Sequence, residues 1–256
     1  MKINEGNSQV KLRAELPDGD GRRYAEYMGF KARASSGFGP NLYGFLIELS
    51  INNNRDWFAE NKDFYESAAK QPMLDFIEAF APKLASISPH FRADNRSLFR
   101  IYRDVRFGKD KRPYKTHVAA QFRHVLGRDV HAPGFYVHIE PGQVFAGGGI
   151  WRPDADALAR IRKRIAEHPD EWYSVVRCPS FKRNFKLQGD SLVRPPRGFD
   201  PEHECIEDLK RKDFIAVAEF DDGDVMRANF VDRYARTCRG LADFNRFLCT
   251  ALGVPF

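Results

Sequence analysis

Between Phe99 and His117 the chain reads F-R-I-Y-R-D-V-R-F-G-K-D-K-R-P-Y-K-T-H. Seven cations stand there, Arg100, Arg103, Arg106, Lys109, Lys111, Arg112 and Lys115, against two carboxylates, Asp104 and Asp110. The stretch carries a net +5 in a chain whose total is +6, so the basic character is local. Arginine suits bidentate contacts to carboxylate or phosphate oxygens, and lysine supplies a point charge. The chemistry this implies is capture of a small anion. Arg103 and Arg106 would clamp it, with Arg100, Lys111 and Lys115 adding charge and Asp104 orienting the arginines. Tyr114 and His117 are placed to move a proton. Two other readings stay open. Tyr102, Phe107 and Tyr114 among the cations could stack on a nucleic acid, although one short stretch is not a long basic track. The arginines could also close a structural network with acidic partners and bind nothing.

A second segment, F-Y-V-H-I-E-P-G-Q-V-F-A-G-G-G-I-W from Phe135 to Trp151, has the residue types for proton transfer. In a strand, Tyr136, His138 and Glu140 share one face, so a base and its orienting partners could lie in line. Polar residues on the wet face of an antiparallel sheet are the plain alternative. Gly147, Gly148 and Gly149, read as lying between a strand and a helix beside Trp151, could let backbone N–H groups approach an anion. They could instead permit a bulge or close packing. His117, His124, His131 and His138 are seven apart, but fall on different elements. No zinc spacing, nucleotide-binding glycine pattern, P-loop or nucleophile elbow occurs, so no metal site is expected and the cofactor is unknown.

These groups need elements to hold them. Phe99 to Phe107 alternates as a strand, with Arg103 on a face otherwise made of Phe99, Ile101, Val105 and Phe107. A guanidinium there should be buried and paired with a carboxylate, carbonyl or anion. A helix aligning Leu98, Ile101 and Val105 is the other reading. Gly108 and Pro113 then put Lys109, Lys111 and Arg112 on a loop. Strands are expected over H-V-A-A-Q-F-R-H-V, G-F-Y-V-H-I-E, Q-V-F-A-G-G-G-I-W and F-I-A-V-A-E-F.

Helices are expected to flank them. One runs through N-L-Y-G-F-L-I-E-L-S-I, and one starts after Asn54 and is interrupted at Pro72. Another follows Pro153, one starts at Asp200-Pro201, and a long one runs from Asp224 to Leu252 and stops at Gly253. Strands in the centre and helices at both ends argue for an α+β fold, a mainly antiparallel sheet flanked by helices with a long C-terminal helix. Residues 1–36 are a polar extension in which Tyr24, Tyr27, Met28 and Phe30 could dock a short helix, and 37–256 form a single domain. Four scattered cysteines without a C-x-x-C pair read as reduced thiols in a cytoplasmic protein. No apolar run is long enough to span a membrane, and no secretory signal is expected.

The stretch from Arg100 to His117 resembles the signature R-x-x-R-D-x-R-F-x-x-x-K-x-P-Y-K-x-N of an uncharacterised, mostly bacterial family, domain of unknown function 2461. Arg100, Arg103, Asp104, Arg106, Phe107, Lys111, Pro113, Tyr114 and Lys115 match, and His117 stands where the pattern has Asn. N-N-N-R-D-W-F, G-G-G-I-W and R-P-P-R-G-F-D-P-E-H extend the resemblance in order over roughly Phe38 to Phe220. It implies one continuous domain with a site around the signature, and no particular reaction. The function expected is binding of a phosphorylated or carboxylated small molecule, as an enzyme of unknown reaction.

Overall fold

A computed structural model describes residues 38–106, 108–127 and 132–256. The N-terminal extension, Phe107 and His131 lie outside them. Helix α1, Pro40–Ile51, starts with proline at its first position, where no N–H is needed, and buries Leu42, Tyr43, Phe45, Leu46 and Leu49. Asn54 caps α2, Arg55–Glu60, by accepting from the Trp57 amide at 2.9 Å. The chain then passes through Lys62–Tyr65 and a π turn, Glu66–Lys70, into α3, Gln71–Ile87. Pro72 does not interrupt this rod. A π turn is where the helical ladder slips, so a residue without an N–H is tolerated there.

Five strands form one antiparallel sheet in the order β1-β2-β3-β5-β4. They are β1 Val118–Arg123, β2 Gly134–Glu140, β3 Gln143–Ile150, β4 Lys186–Gln188 and β5 Phe214–Phe220. Between β3 and β4 lie α4, Ala155–Glu167, capped by Asp154, and α5, Pro169–Val176. After β5 come α6, Phe230–Gly240, and α7, Ala242–Leu252. Strand alternation sorts the sheet into two faces. Phe122, Phe135, Val137, Ile139, Ala146, Phe214 and Ala216 are fully buried, on the face packed by α3, α6 and α7. There Phe80 meets Phe122 at 4.7 Å and Tyr234 at 4.8 Å between ring centroids. The opposite face presents Gln121, Tyr136, His138, Phe145, Gly147, Ile215 and Val217. Among the described residues no helix covers its centre.

Four further expectations are corrected. Phe99–Phe107 is neither strand nor helix over its described residues. Isolated bridges join Leu98 to Ala120 and Tyr102 to Tyr114, and Arg103 N–H donates to the Pro113 carbonyl at 2.8 Å. The segment is a loose hairpin lying along β1. The long final helix is broken at Leu241, because Gly240 is a poor helix former that lets the Phe185 ring within 2.9 Å of where a Cβ would sit. Asp200-Pro201 opens a turn, with Asp200 Oδ1 accepting from the Glu202 amide, and the helical turn starts only at Ile206. The three glycines lie inside β3, not after it. All four cysteines are free thiols, three of them buried. No helix among the described residues is long and apolar enough to cross a membrane.

Candidate functional site

The antiparallel register sets Val118 opposite Ile139 and Ala119 opposite His138. His117, just before β1, therefore comes beside the end of β2. Its ring lies 4.2 Å from the His138 ring, centroid to centroid. His138 in turn stacks on Phe145 at 4.7 Å and 12°. The strand-face line read from sequence is present: Tyr136 Oη is 3.1 Å from His138 Nδ1, and His138 Nε2 is 3.4 Å from Glu140 Oε2. Thr116 Oγ1 donates to the other oxygen, Glu140 Oε1, at 2.5 Å. One donor atom from each of His117, His138 and Glu140 falls within 4.8 Å of the others, a set able to ligate a metal ion. Sequence spacing carries no metal motif because two strands, not one helix, bring the trio together.

Electrostatics set the protonation of this cluster. Burial, then the His138 imidazole, push the His117 pKa down, and the charges of Lys115 and Arg103 add to the effect. Burial alone would raise Glu140, but hydrogen bonds from His138 and Thr116 and the neighbouring imidazoles outweigh it and hold the carboxyl below its usual range. Burial pushes the Tyr136 phenol up. The cluster thus holds a neutral imidazole, a carboxylate and a protonated phenol at neutral pH.

Beside it the uncovered sheet face forms a cavity of about 420 Å³. Phe99, Tyr136, Phe145, Trp151, Ile215 and Val217 give it apolar and aromatic walls, and Lys115 and His117 stand in the lining. Gly147 makes room by having no side chain, whereas a Cβ on Gly149, at a φ of 119°, would meet the Phe214 carbonyl and the Phe244 ring. The residue between them, Gly148, faces the other way, against Leu241. Since β3 is paired on both edges, its glycine amides serve the sheet ladder and do not form an anion nest. Gly147 is the glycine that leaves space in the cavity.

Of the seven cations, Lys115 reaches this cavity. Its ammonium is half-buried, donates to the Arg100 carbonyl at 2.8 Å and lies 5.1 Å from the Phe99 ring centroid. Burial lowers its pKa. The arginines are otherwise engaged. Arg103, with a side chain 32% exposed instead of buried, pairs with Asp110 at 2.6 Å, and Arg112 pairs with the same carboxylate at 2.7 Å. Arg106 is exposed and pairs with Asp104 at 2.8 Å, while Lys111 donates to the Val105 carbonyl. Arg103 and Arg106, expected to clamp an anion, are held by ion pairs to Asp110 and Asp104 inside the loop.

Asp104 and Tyr114, expected to take part in proton transfer, do not line this cavity. Asp104 is at the surface with Arg106, which holds its pKa down near 2. Tyr114 is buried and stacks on Phe58 at 4.1 Å. That also removes it as a stacking ring for nucleic acid. Arg100 contributes its carbonyl, its side chain being exposed. Sequence reading did not single out Phe99, Thr116, Phe145 or Val217, whose place depends on the register across four strands.

The family described as "Conserved hypothetical protein (DUF2461)" matches residues 41–247 of the chain. None of the curated proteins matches it.

Proposed function

The chain belongs to the DUF2461 family, whose description names no reaction, and from that premise we propose that it is an enzyme binding a small amphipathic acid on its uncovered sheet face. The acid is a carboxylated or phosphorylated molecule with an apolar body. Its body packs on Phe99, Phe145, Trp151, Ile215 and Val217, its charged group meets Lys115, and the reacting end faces His117. One observation carries this reading. Lys115 holds a half-buried ammonium at the cavity wall with a carbonyl and a ring face for company, and no carboxylate pairs with it among the described residues. A desolvated cation without a counter-charge favours an incoming anion, and an apolar cavity with few polar groups suits a small molecule better than a polymer.

The test is a melting series on protein stripped by a chelating resin, at constant ionic strength. Acetate, hexanoate, phenylacetate, inorganic phosphate and phenyl phosphate are the probes, with the neutral amides as controls. An acid at about one hundred times its Kd adds roughly 2.7 kcal/mol. With roughly 2–4 °C of Tm per kcal/mol for a chain of this size, the shift is about 5–10 °C. Acids with an apolar body should give it, and acetate, inorganic phosphate and the amides should not. Lys115→Met should remove it. Equal shifts in parent and variant, or no shift with any acid, would overturn the proposal.

A further inference from the structure

We propose that His117, His138 and Glu140 bind one divalent transition-metal ion at the polar end of the cavity. The donor set, two imidazoles and one carboxylate, suits Zn²⁺, Fe²⁺ or Co²⁺ and leaves coordination positions open for water or a ligand. The inference deepens the proposed function and rests on that reading for what fills those open positions, which is the anionic group of the bound acid.

The first argument is distance. Two donors about 2.0–2.2 Å from one ion at a tetrahedral angle lie roughly 3.3–3.6 Å apart. His138 Nε2 and Glu140 Oε2 are 3.4 Å apart, long for a hydrogen bond and right for two ligands of one ion. The His117 nitrogen lies within 4.8 Å of both and supplies the third side. The second argument is the outer shell. A ligating imidazole usually has its other nitrogen held, and a ligating carboxylate its other oxygen. Both are held here, His138 Nδ1 by the Tyr136 hydroxyl at 3.1 Å and Glu140 Oε1 by Thr116 at 2.5 Å. Those partners direct Nε2 and Oε2 toward the same point. The third is charge. One carboxylate does not neutralise a divalent ion, and the Lys115 ammonium lines the same cavity beside His117. The loaded site therefore calls for an anion, so ion and acid should bind cooperatively.

The experiment titrates the full, metal-stripped chain with Co²⁺, reading visible d–d absorption, and with Zn²⁺, counting bound ions. One ion per chain is expected. Glu140→Gln and His117→Ala should abolish the absorption, and Lys115→Met should keep it. Thr116→Val, a near-isosteric change outside the ligand set that removes the hydrogen bond to Glu140, should weaken the affinity roughly ten- to a hundredfold. It guards against the case where a ligand variant misfolds. Absence of absorption in the parent overturns the inference, as does absorption unchanged in both ligand variants. The acid series on stripped protein answers separately. Acid-induced shifts without ion binding keep the cavity and reject the ion. Ion binding without acid-induced shifts supports the ion and rejects the proposed ligand.

Discussion

His124 is a buried histidine whose hydrogen bonds define its tautomer. Its Nε2 lies 2.8 Å from the Pro255 carbonyl and so carries the proton, while Nδ1 accepts from the Leu126 amide at 3.2 Å. Burial lowers its pKa, against the pull of the Pro255 carbonyl, and the nearby His90 lowers it further. Protonation would put an N–H on Nδ1 facing another N–H. The sign of the pH effect follows. Above the unfolded pKa, about 6.5, both states are neutral and the full stability is present. As pH falls through that value the unfolded chain takes the proton first, so stability declines until the folded pKa is passed. Urea unfolding at pH 7.5 and 5.5 should therefore show a larger loss in the parent than in His124→Phe. Equal losses would mean that His124 does not titrate on unfolding. The equal spacing of the histidines is uninformative for a reason of parity: residues seven apart in an extended chain point to opposite faces. His124 accordingly packs with Phe91 in the core, whereas His117 turns to the cavity side and meets His138. Which histidines would meet was set by the β1–β2 register, and a long connection leaves that register unwritten in local sequence.

Among the elements, the basic hairpin is held less by its own charges than by Asn53. The Asn53 side chain accepts from Tyr114 N–H and donates to the Tyr114 carbonyl, both at 3.0 Å, and so acts as a one-residue strand partner. It fastens the hairpin to the turn between α1 and α2. The loop ion pairs are largely exposed, and such pairs contribute about 0–1 kcal/mol each. Two hydrogen bonds at a partly buried backbone are worth more. Asn53→Ala should destabilise by about 1–3 kcal/mol and should raise amide exchange selectively across residues 99–116. Uniformly raised exchange would argue instead for a general loss of stability. The three asparagines, Asn52 to Asn54, read as caps in sequence, and Asn54 is one. Asn53 could not be told from a cap because its partner lies sixty-one residues away. Four of the five strands were legible from their β-rich composition, and α1, α2 and α4 from periodicity, caps and prolines, whereas the three-residue β4 was not. The segment after Phe99 was not. Its alternation mimics a strand, but each side makes only single bridges, because the chain turns away at the Asp–Arg pairs. The break at Leu241 was equally hidden, since it depends on Phe185 packing on Gly240.

At the scale of the whole molecule, the sheet divides the work of the protein between its faces. Helices α3, α6 and α7 build the core on one side, and the other side carries the cavity and the His117–His138–Glu140 cluster. Strand β3 sits in the middle and serves both. Two adjacent glycines test the division. A Cβ on Gly148 would lie 3.1 Å from Leu241 Cδ1 and 3.3 Å from Asn245 Nδ2, within the helix-packed core. A Cβ on Gly147 would find ordinary contact, 3.6 Å from Val217 Cγ1 and from the Ala216 carbonyl, with the cavity beyond it. Gly148→Val should therefore overpack the core and cost about 1–3 kcal/mol, lowering Tm by roughly 2–12 °C for a domain of this size. Gly147→Val should leave Tm within roughly 2 °C of the parent, since a β-branched residue suits a strand, yet it should fill the cavity and suppress the response to apolar acids. The measurement is a pair of melting curves, each with and without phenylacetate. A fall in stability for both variants would mean that the second face is also packed shut. Unchanged acid response in Gly147→Val would mean that the acid binds elsewhere. The opposite assignment, with Gly148→Val tolerated, would contradict the packing of α7 against β3 and with it the two-faced arrangement itself.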